Sequence, residues 1–182
     1  MDYVKVLSRI GIALSNPACA AYSNLCFKPK QIQCIELILK GHDVVAVLPT
    51  GYGKSLIFQL LPWILPPKSE GENNIVLVVC PLSSIIKDQI SLLNERGIRA
   101  AYLSNFTDDD DTAVDQCLFS DDDKKSSTKN VSDVIKEAKI DFLFGHPESF
   151  LSNQGRSLLK SPPYQRKVVA CAIDEVHCVN IW

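Results

Sequence analysis

Two short stretches carry residue types that do chemistry together. Residues 50–55 read TGYGKS, wedged between the apolar runs VVAV and LIFQLLPW. Residues 174 and 175 are adjacent acids, Asp174 and Glu175, at the end of the apolar run VVACAI. Glycines in a turn between a strand and a helix let backbone N–H groups converge on an anion, and the helix N-terminus adds partial positive charge. Pro49, Thr50, Gly51, Tyr52 and Gly53 would form such a cradle, with Lys54 reaching the outer phosphates of a nucleotide and the Ser55 hydroxyl ligating Mg2+. Asp174 can hold the same metal, usually through water, and Glu175 can orient or deprotonate an attacking water. The stretch satisfies only the second half of GxxxxGKS/T, because Leu48 stands where the first glycine belongs. A phosphate turn joined to paired acids at a later strand end is the residue set of a nucleoside triphosphatase.

Those groups work only if the chain folds to hold them. Four apolar runs stand out: VVAVLP at 44–49, NIVLVVCP at 74–81, DFLFGHP at 141–147 and KVVACAIDE at 167–175. Continuous rather than alternating hydrophobicity predicts strands covered on both faces, as in parallel sheets. Helical stretches lie between them, at Gln31–Lys40, at Ser55–Trp63 and in LSSIIKDQISLLNERG. In the last of these Leu82, Ile86, Ile90 and Leu93 fall on one face, and Gly97 stops the helix. Strands alternating with helices predict a doubly wound α/β sheet, with phosphate ligands at the carboxyl ends of its strands. Two stretches interrupt the pattern. Pro62–Asn74, with three prolines, a glycine and charged residues, reads as a surface connection, and the polar Thr107–Asn130 reads as an acidic insertion.

Composition narrows the class. A chain of 182 residues is close to the roughly 150 of one domain, and 46% apolar with 22% charged residues is soluble-globular usage, not fibrous or disordered. The net charge of −2 hides an asymmetry: Thr107–Lys125 holds eight aspartates against two lysines, which leaves 17 basic and 13 acidic residues elsewhere. That excess permits a polyanionic partner. Seven cysteines, at 19, 26, 34, 80, 117, 171 and 178, form no CxxC pair, which predicts reduced and mostly buried thiols. The opening MDYVKVLSRIGIAL has no long apolar core, and no run approaches the roughly 18 apolar residues of a membrane span. An intracellular chain, cytoplasmic or nuclear, is expected.

Taken in order, TGYGKS, CPLSSIIKDQ, HPESF and DEVHC resemble the first RecA-like motor domain of the superfamily 2 helicases, and the RecQ family of DNA helicases in particular. The resemblance covers about residues 25–182, after a helical or irregular extension at 1–24. The family's phosphate loop has the form PTGxGKS, so Leu48 is no departure from it. The implied fold is a RecA-like P-loop domain, α/β with a mostly parallel sheet and helices on both faces. The implied activity is ATP-dependent 3′-to-5′ unwinding, with ATP and Mg2+ as cofactors and single-stranded or forked DNA as partner.

Further roles follow from the resemblance residue by residue. In FKPKQIQ, Gln31 matches the glutamine that reads the adenine edge, with Lys28 beside it and Phe27 packed there. The aromatic that the family often carries three residues before this phenylalanine is Asn24, and Tyr22 is the candidate to replace it. Pro81, Leu82 and Ser83, assisted by Lys87 and Gln89, match an element that touches the DNA backbone. FGHPESF matches a TPE-like turn, another backbone contact, in which His146 replaces threonine and is followed by Pro147 and by Glu148, near the next helix's N-terminus. His177 would couple the triphosphate site to DNA or to a second motor domain, and Cys178 and Trp182 match the family's HCxxxW. The resemblance implies a second RecA-like domain, absent from these residues, that supplies a transition-state arginine. The expectation is the N-terminal motor part of such a helicase, truncated after the DExH motif and inactive in unwinding alone. The alternative is a non-catalytic nucleotide- and DNA-binding regulatory module.

Overall fold

The computed structural model describes residues 3–15, 19, 22, 26–103 and 131–176. The acidic insertion, Asn24, His177, Cys178 and Trp182 lie outside the described residues. The chain divides into two compact units, Met1–Pro66 and Pro67–Trp182.

The first unit is helical among its described residues: α1 (Tyr3–Leu14), α2 (Pro29–Leu39), α3 (Lys54–Gln59) and α4 (Leu61–Ile64). Val6, Ile10 and Ala13 recur at helical spacing on α1 and are buried where it packs on α2 and α4. Tyr22 is 1% exposed, and its hydroxyl donates to Gln59 Oε1 at 3.1 Å. It is a core residue with no open face for a base, contrary to the substitution expected for it. The single helix expected over Ser55–Trp63 is two helices. Pro62 lacks the N–H that would bond the Phe58 carbonyl, so the first ends at Gln59 and the second restarts with Pro62 in its opening turn. That turn also takes the first residues of the expected surface connection into the fold, since Pro62 and Ile64 are buried.

The run at 44–49 is not a strand. Residues 42–49 have no regular structure, and Val45 and Val47 are 85% and 87% exposed. A buried strand needs ladder partners for its N–H and C=O groups and cover for both faces. Within its own unit, helical among the described residues, the segment has neither.

The second unit is built on β1 (Ile75–Val79), β2 (Ala100–Leu103), β3 (Phe142–Gly145) and β4 (Val168–Ile173). They form one parallel sheet in the order β2-β3-β1-β4. Joining them are α5 (Ser83–Glu95), α6 (Val131–Lys136), α7 (Pro147–Leu151), α8 (Asn153–Lys160) and α9 (Pro162–Lys167). Ile75, Leu77, Ala101, Leu103 and Leu143 share a core with Ile135, Phe150 and Tyr164. The intervening residues Val76, Val78, Phe142 and Phe144 are equally buried and, by strand alternation, face the other way. Helix α5 packs on β2 and β3 and buries Ile86, Ile90 and Leu93, so helices cover both faces. Leu82, expected on that apolar face, precedes the helix and is 43% exposed. Gly97 ends the helix as expected, at φ +73°.

β4 departs from the expected buried strand: it lies at the sheet margin, and its residues are half-buried or exposed. At the opposite end of the strands, Arg99 grips Asp141 through Nε to Oδ2 at 3.1 Å and Nη2 to Oδ1 at 2.6 Å, while the Arg99 backbone N–H also donates to Oδ2 at 3.1 Å. This two-pronged clamp fixes the starts of β2 and β3 side by side. The five described cysteines are free thiols; Cys19, Cys34 and Cys80 are buried, whereas Cys26 and Cys171 are exposed. Among the described residues no helix is long and apolar enough to cross a membrane.

Candidate functional site

In the first unit, TGYGKS forms a tight turn into α3. Gly51 and Gly53 stand at φ +74° and +88°, backbone angles that glycine adopts without strain. The Tyr52 N–H donates to the Pro49 carbonyl at 3.1 Å, closing the turn. Gln31, on α2, braces it. Its Nε2 donates to the Tyr52 and Gly53 carbonyls at 3.2 and 2.9 Å, and its Oε1 accepts from the Lys28 N–H at 2.8 Å. Gln31 is 3% exposed, so it is an internal strut and not a polar group on a helix surface. A Cβ on Gly53 would lie 2.7 Å from Gln31 Nε2, so any larger residue has to displace the end of the glutamine as well as adopt the left-handed angle. Lys28 lies over the Tyr52 ring at 4.5 Å and reaches the Gly51 carbonyl at 3.5 Å. Phe27 and Ser55 are half-buried, whereas Pro49 and Thr50 are exposed. Lys54 Nζ donates to the Leu48 carbonyl at 3.4 Å, longer than the 2.7–2.9 Å typical of a charge-assisted bond to an anion.

In the second unit, three loops meet along the carboxyl margin of the sheet. The Cys80 N–H donates to the Gly145 carbonyl and the Asp174 N–H to the Val79 carbonyl, at 3.0 and 2.9 Å. These bonds extend the ladders past the strand ends, so Pro81–Ser83, His146–Glu148 and Asp174–Glu175 lie side by side. Asp174 Oδ1 accepts the Glu175 N–H at 2.9 Å, and Glu175 turns the chain with φ +52°. Leu82, Ser83 and Lys87 are exposed, Gln89 is half-buried, and Glu148 lies exposed in the first turn of α7.

His146 joins two of these loops. Its Nδ1 is 3.0 Å from the Cys80 carbonyl oxygen and its Nε2 is 3.0 Å from Ser83 Oγ. Tyr102, at the end of β2, meets the imidazole edge-on with ring centroids 5.8 Å apart. Burial, with the Glu148 carboxylate second, pushes the Tyr102 phenol up from its ordinary value. Sequence reasoning did not find Tyr102: AAYL is a four-residue strand too short to stand out as an apolar run. Gly97 ending a helix just before it was the available signal.

The phosphate turn belongs to the first unit and the paired acids to the second. Among the described residues no three His, Cys, Asp or Glu side chains cluster as a metal cage. Asp174 is a carboxylate of the kind that suits Mg2+, which is commonly held by one or two carboxylates together with substrate phosphates and water.

Residues 28–182 match the DEAD/DEAH box helicase family, and the chain belongs to it. Within that family it is similar to RecQ-type enzymes. It is 35% identical over 156 residues to the probable ATP-dependent DNA helicase RecS of Bacillus subtilis, covering 86% of this chain and 26% of that protein. It is 31% identical to the ATP-dependent DNA helicase RecQ of Synechocystis, over 86% of this chain and 27% of that protein. The ATP-dependent helicase wrn-1 of Caenorhabditis elegans is also 31% identical, again over 86% of this chain but 12% of its own length. The chain thus spans about a quarter or less of these relatives.

Proposed function

We propose that residues 25–182 form the ATP-binding first motor domain of a RecQ-like 3′-to-5′ DNA helicase. The observation that carries this reading is the TGYGKS turn, with two left-handed glycines, Gln31 packed close against Gly53, and a lysine held by one long bond. A phosphate oxygen competes well for Lys54 against a carbonyl at 3.4 Å. Gln31 matches the glutamine that reads the adenine edge in the family, and here the same amide braces the turn, with Oε1 taking the Lys28 N–H. Lys28 and Phe27 flank the base. Ser55 and Asp174 are the residues that would hold a Mg2+ ion brought by the nucleotide, which would supply charge neutralisation. Glu175 orients the attacking water, and His177 relays the state of the triphosphate. Pro81, Leu82, Ser83, Lys87, Gln89, His146, Pro147 and Glu148 make the DNA-backbone surface.

The test is ATP turnover by the chain with and without single-stranded DNA, alongside ATP binding by a fluorescent analogue. Lys54→Ala should weaken binding by roughly tenfold or more, the loss of about one charge-assisted hydrogen bond. Glu175→Gln should spare binding and abolish turnover. Two variants that behave like the parent chain would sink the site assignments. Binding of ATP and DNA with no turnover even when a RecQ-type second motor domain is supplied would instead identify a regulatory module.

A further inference from the structure

We infer that His146 is a proton-linked positioning residue, which sets the direction of the Ser83 hydroxyl and thereby couples DNA-backbone binding to proton uptake. The inference rests on the reading of Ser83 as a backbone contact.

A carbonyl oxygen only accepts, so the 3.0 Å contact between His146 Nδ1 and the Cys80 carbonyl requires the hydrogen on Nδ1. In the neutral ring Nε2 is then an acceptor, and the 3.0 Å contact with Ser83 Oγ is made by the serine O–H. The hydroxyl hydrogen is thereby committed to the imidazole, and Ser83 turns oxygen lone pairs outward. Lone pairs repel a phosphate. In the imidazolium Nε2 carries a hydrogen and donates to Ser83 Oγ, which frees the serine O–H to donate outward and adds a positive charge behind it. A bound phosphate oxygen therefore favours the protonated ring, and by linkage the protonated ring favours the phosphate.

The surroundings hold the ring in place without replacing either bond. Tyr102 from β2 meets the imidazole by its edge. Glu148 on α7 places a carboxylate near Tyr102, where, after burial, it helps to raise the phenol. The Cys80 thiol points to the Leu82 carbonyl at 3.9 Å and is not a partner of the ring in that contact. From α5, Lys87 stands one turn beyond Ser83, a cation opposing the protonated ring and assisting the phosphate.

The experiment measures affinity for a fluorescent single-stranded oligonucleotide at constant ionic strength, from roughly pH 5 to 8, the range in which histidine changes charge. It compares the full chain with His146→Gln and Ser83→Ala, and records thermal unfolding of each. Glutamine offers a non-titrating amide to Ser83. The unmodified chain should bind about threefold to tenfold more tightly at the acid end than His146→Gln's own pH trend explains, and Ser83→Ala, which keeps the ring's charge but loses the hydroxyl, should show a reduced trend between the two. Calorimetry in two buffers of different ionisation enthalpy should show net proton uptake on binding by the unmodified chain, reduced in His146→Gln. A uniform loss of affinity at every pH in His146→Gln, together with lowered thermal stability, would make the histidine a structural brace and overturn the inference. So would a pH trend in Ser83→Ala equal to that of the unmodified chain. DNA binding with no pH difference overturns the coupling alone, whereas no DNA binding by any form overturns the backbone reading and the coupling with it.

Discussion

At the scale of single residues, the phosphate turn depends on a side chain from another helix. Gly53 is favoured for two separate reasons: its φ of +88° costs an L-residue about 1–2 kcal/mol, and any Cβ meets Gln31 Nε2 at 2.7 Å and must push it aside. Gly53→Ala should therefore lower nucleotide affinity by roughly tenfold, because displacing the amide breaks both of its bonds to the turn. Gln31→Ala removes the collision as well as the brace. A double-mutant cycle measured by ATP binding should show the pair to be less harmful than the sum of its members. Strict additivity would mean that the two residues act independently. The glycine turn into a helix and the place of the acid pair at a strand's end were legible in the sequence because such residues have few other uses in that order. The internal role of Gln31 was not, since nothing local marks a glutamine whose partners lie 21 and 22 residues away.

At the scale of elements, β1, β3 and β4 and the helix α5 were legible because their apolar periods are strong and glycine marks the stop. The errors have particular causes. One apolar run, at 44–49, lacks the ladder that makes such a run a strand, and the helix after it is cut by Pro62. The short β2 is held by something no periodicity reports, the clamp of Arg99 on Asp141. Asp141 is buried while Arg99 remains partly in water, so the pair falls between a surface bridge and a buried one. Asp141→Ala should cost about 2 kcal/mol and lower the unfolding temperature by roughly 4–8 °C, with Asp141→Asn losing about half as much. Thermal circular dichroism reads this directly, and a shift under about 1 °C for the alanine variant would show the clamp to be ornamental.

At the scale of the whole molecule, the proposed function divides strand separation between two motor domains, of which the 182 residues would be the first. Assayed by themselves with ATP and a forked duplex, they should bind nucleotide weakly and turn it over slowly. They should release no displaced strand, as followed by a gel or a fluorescence-quenching pair. An arginine finger is worth roughly 10³ to 10⁵ in rate, which sets how slow that turnover should be. Unwinding by the unassisted chain would refute the division of labour proposed for it.

The backbone at Glu175 has a consequence of its own. Its φ of +52° holds a glutamate in a conformation that costs roughly 1–2 kcal/mol relative to glycine, just where the attacking water is proposed to be oriented. The residues that relax such an angle most readily, glycine and asparagine, carry no carboxylate. Heat resistance and hydrolysis thus pull this one position in opposite directions, and a sequence tuned only for durability would abandon the acid.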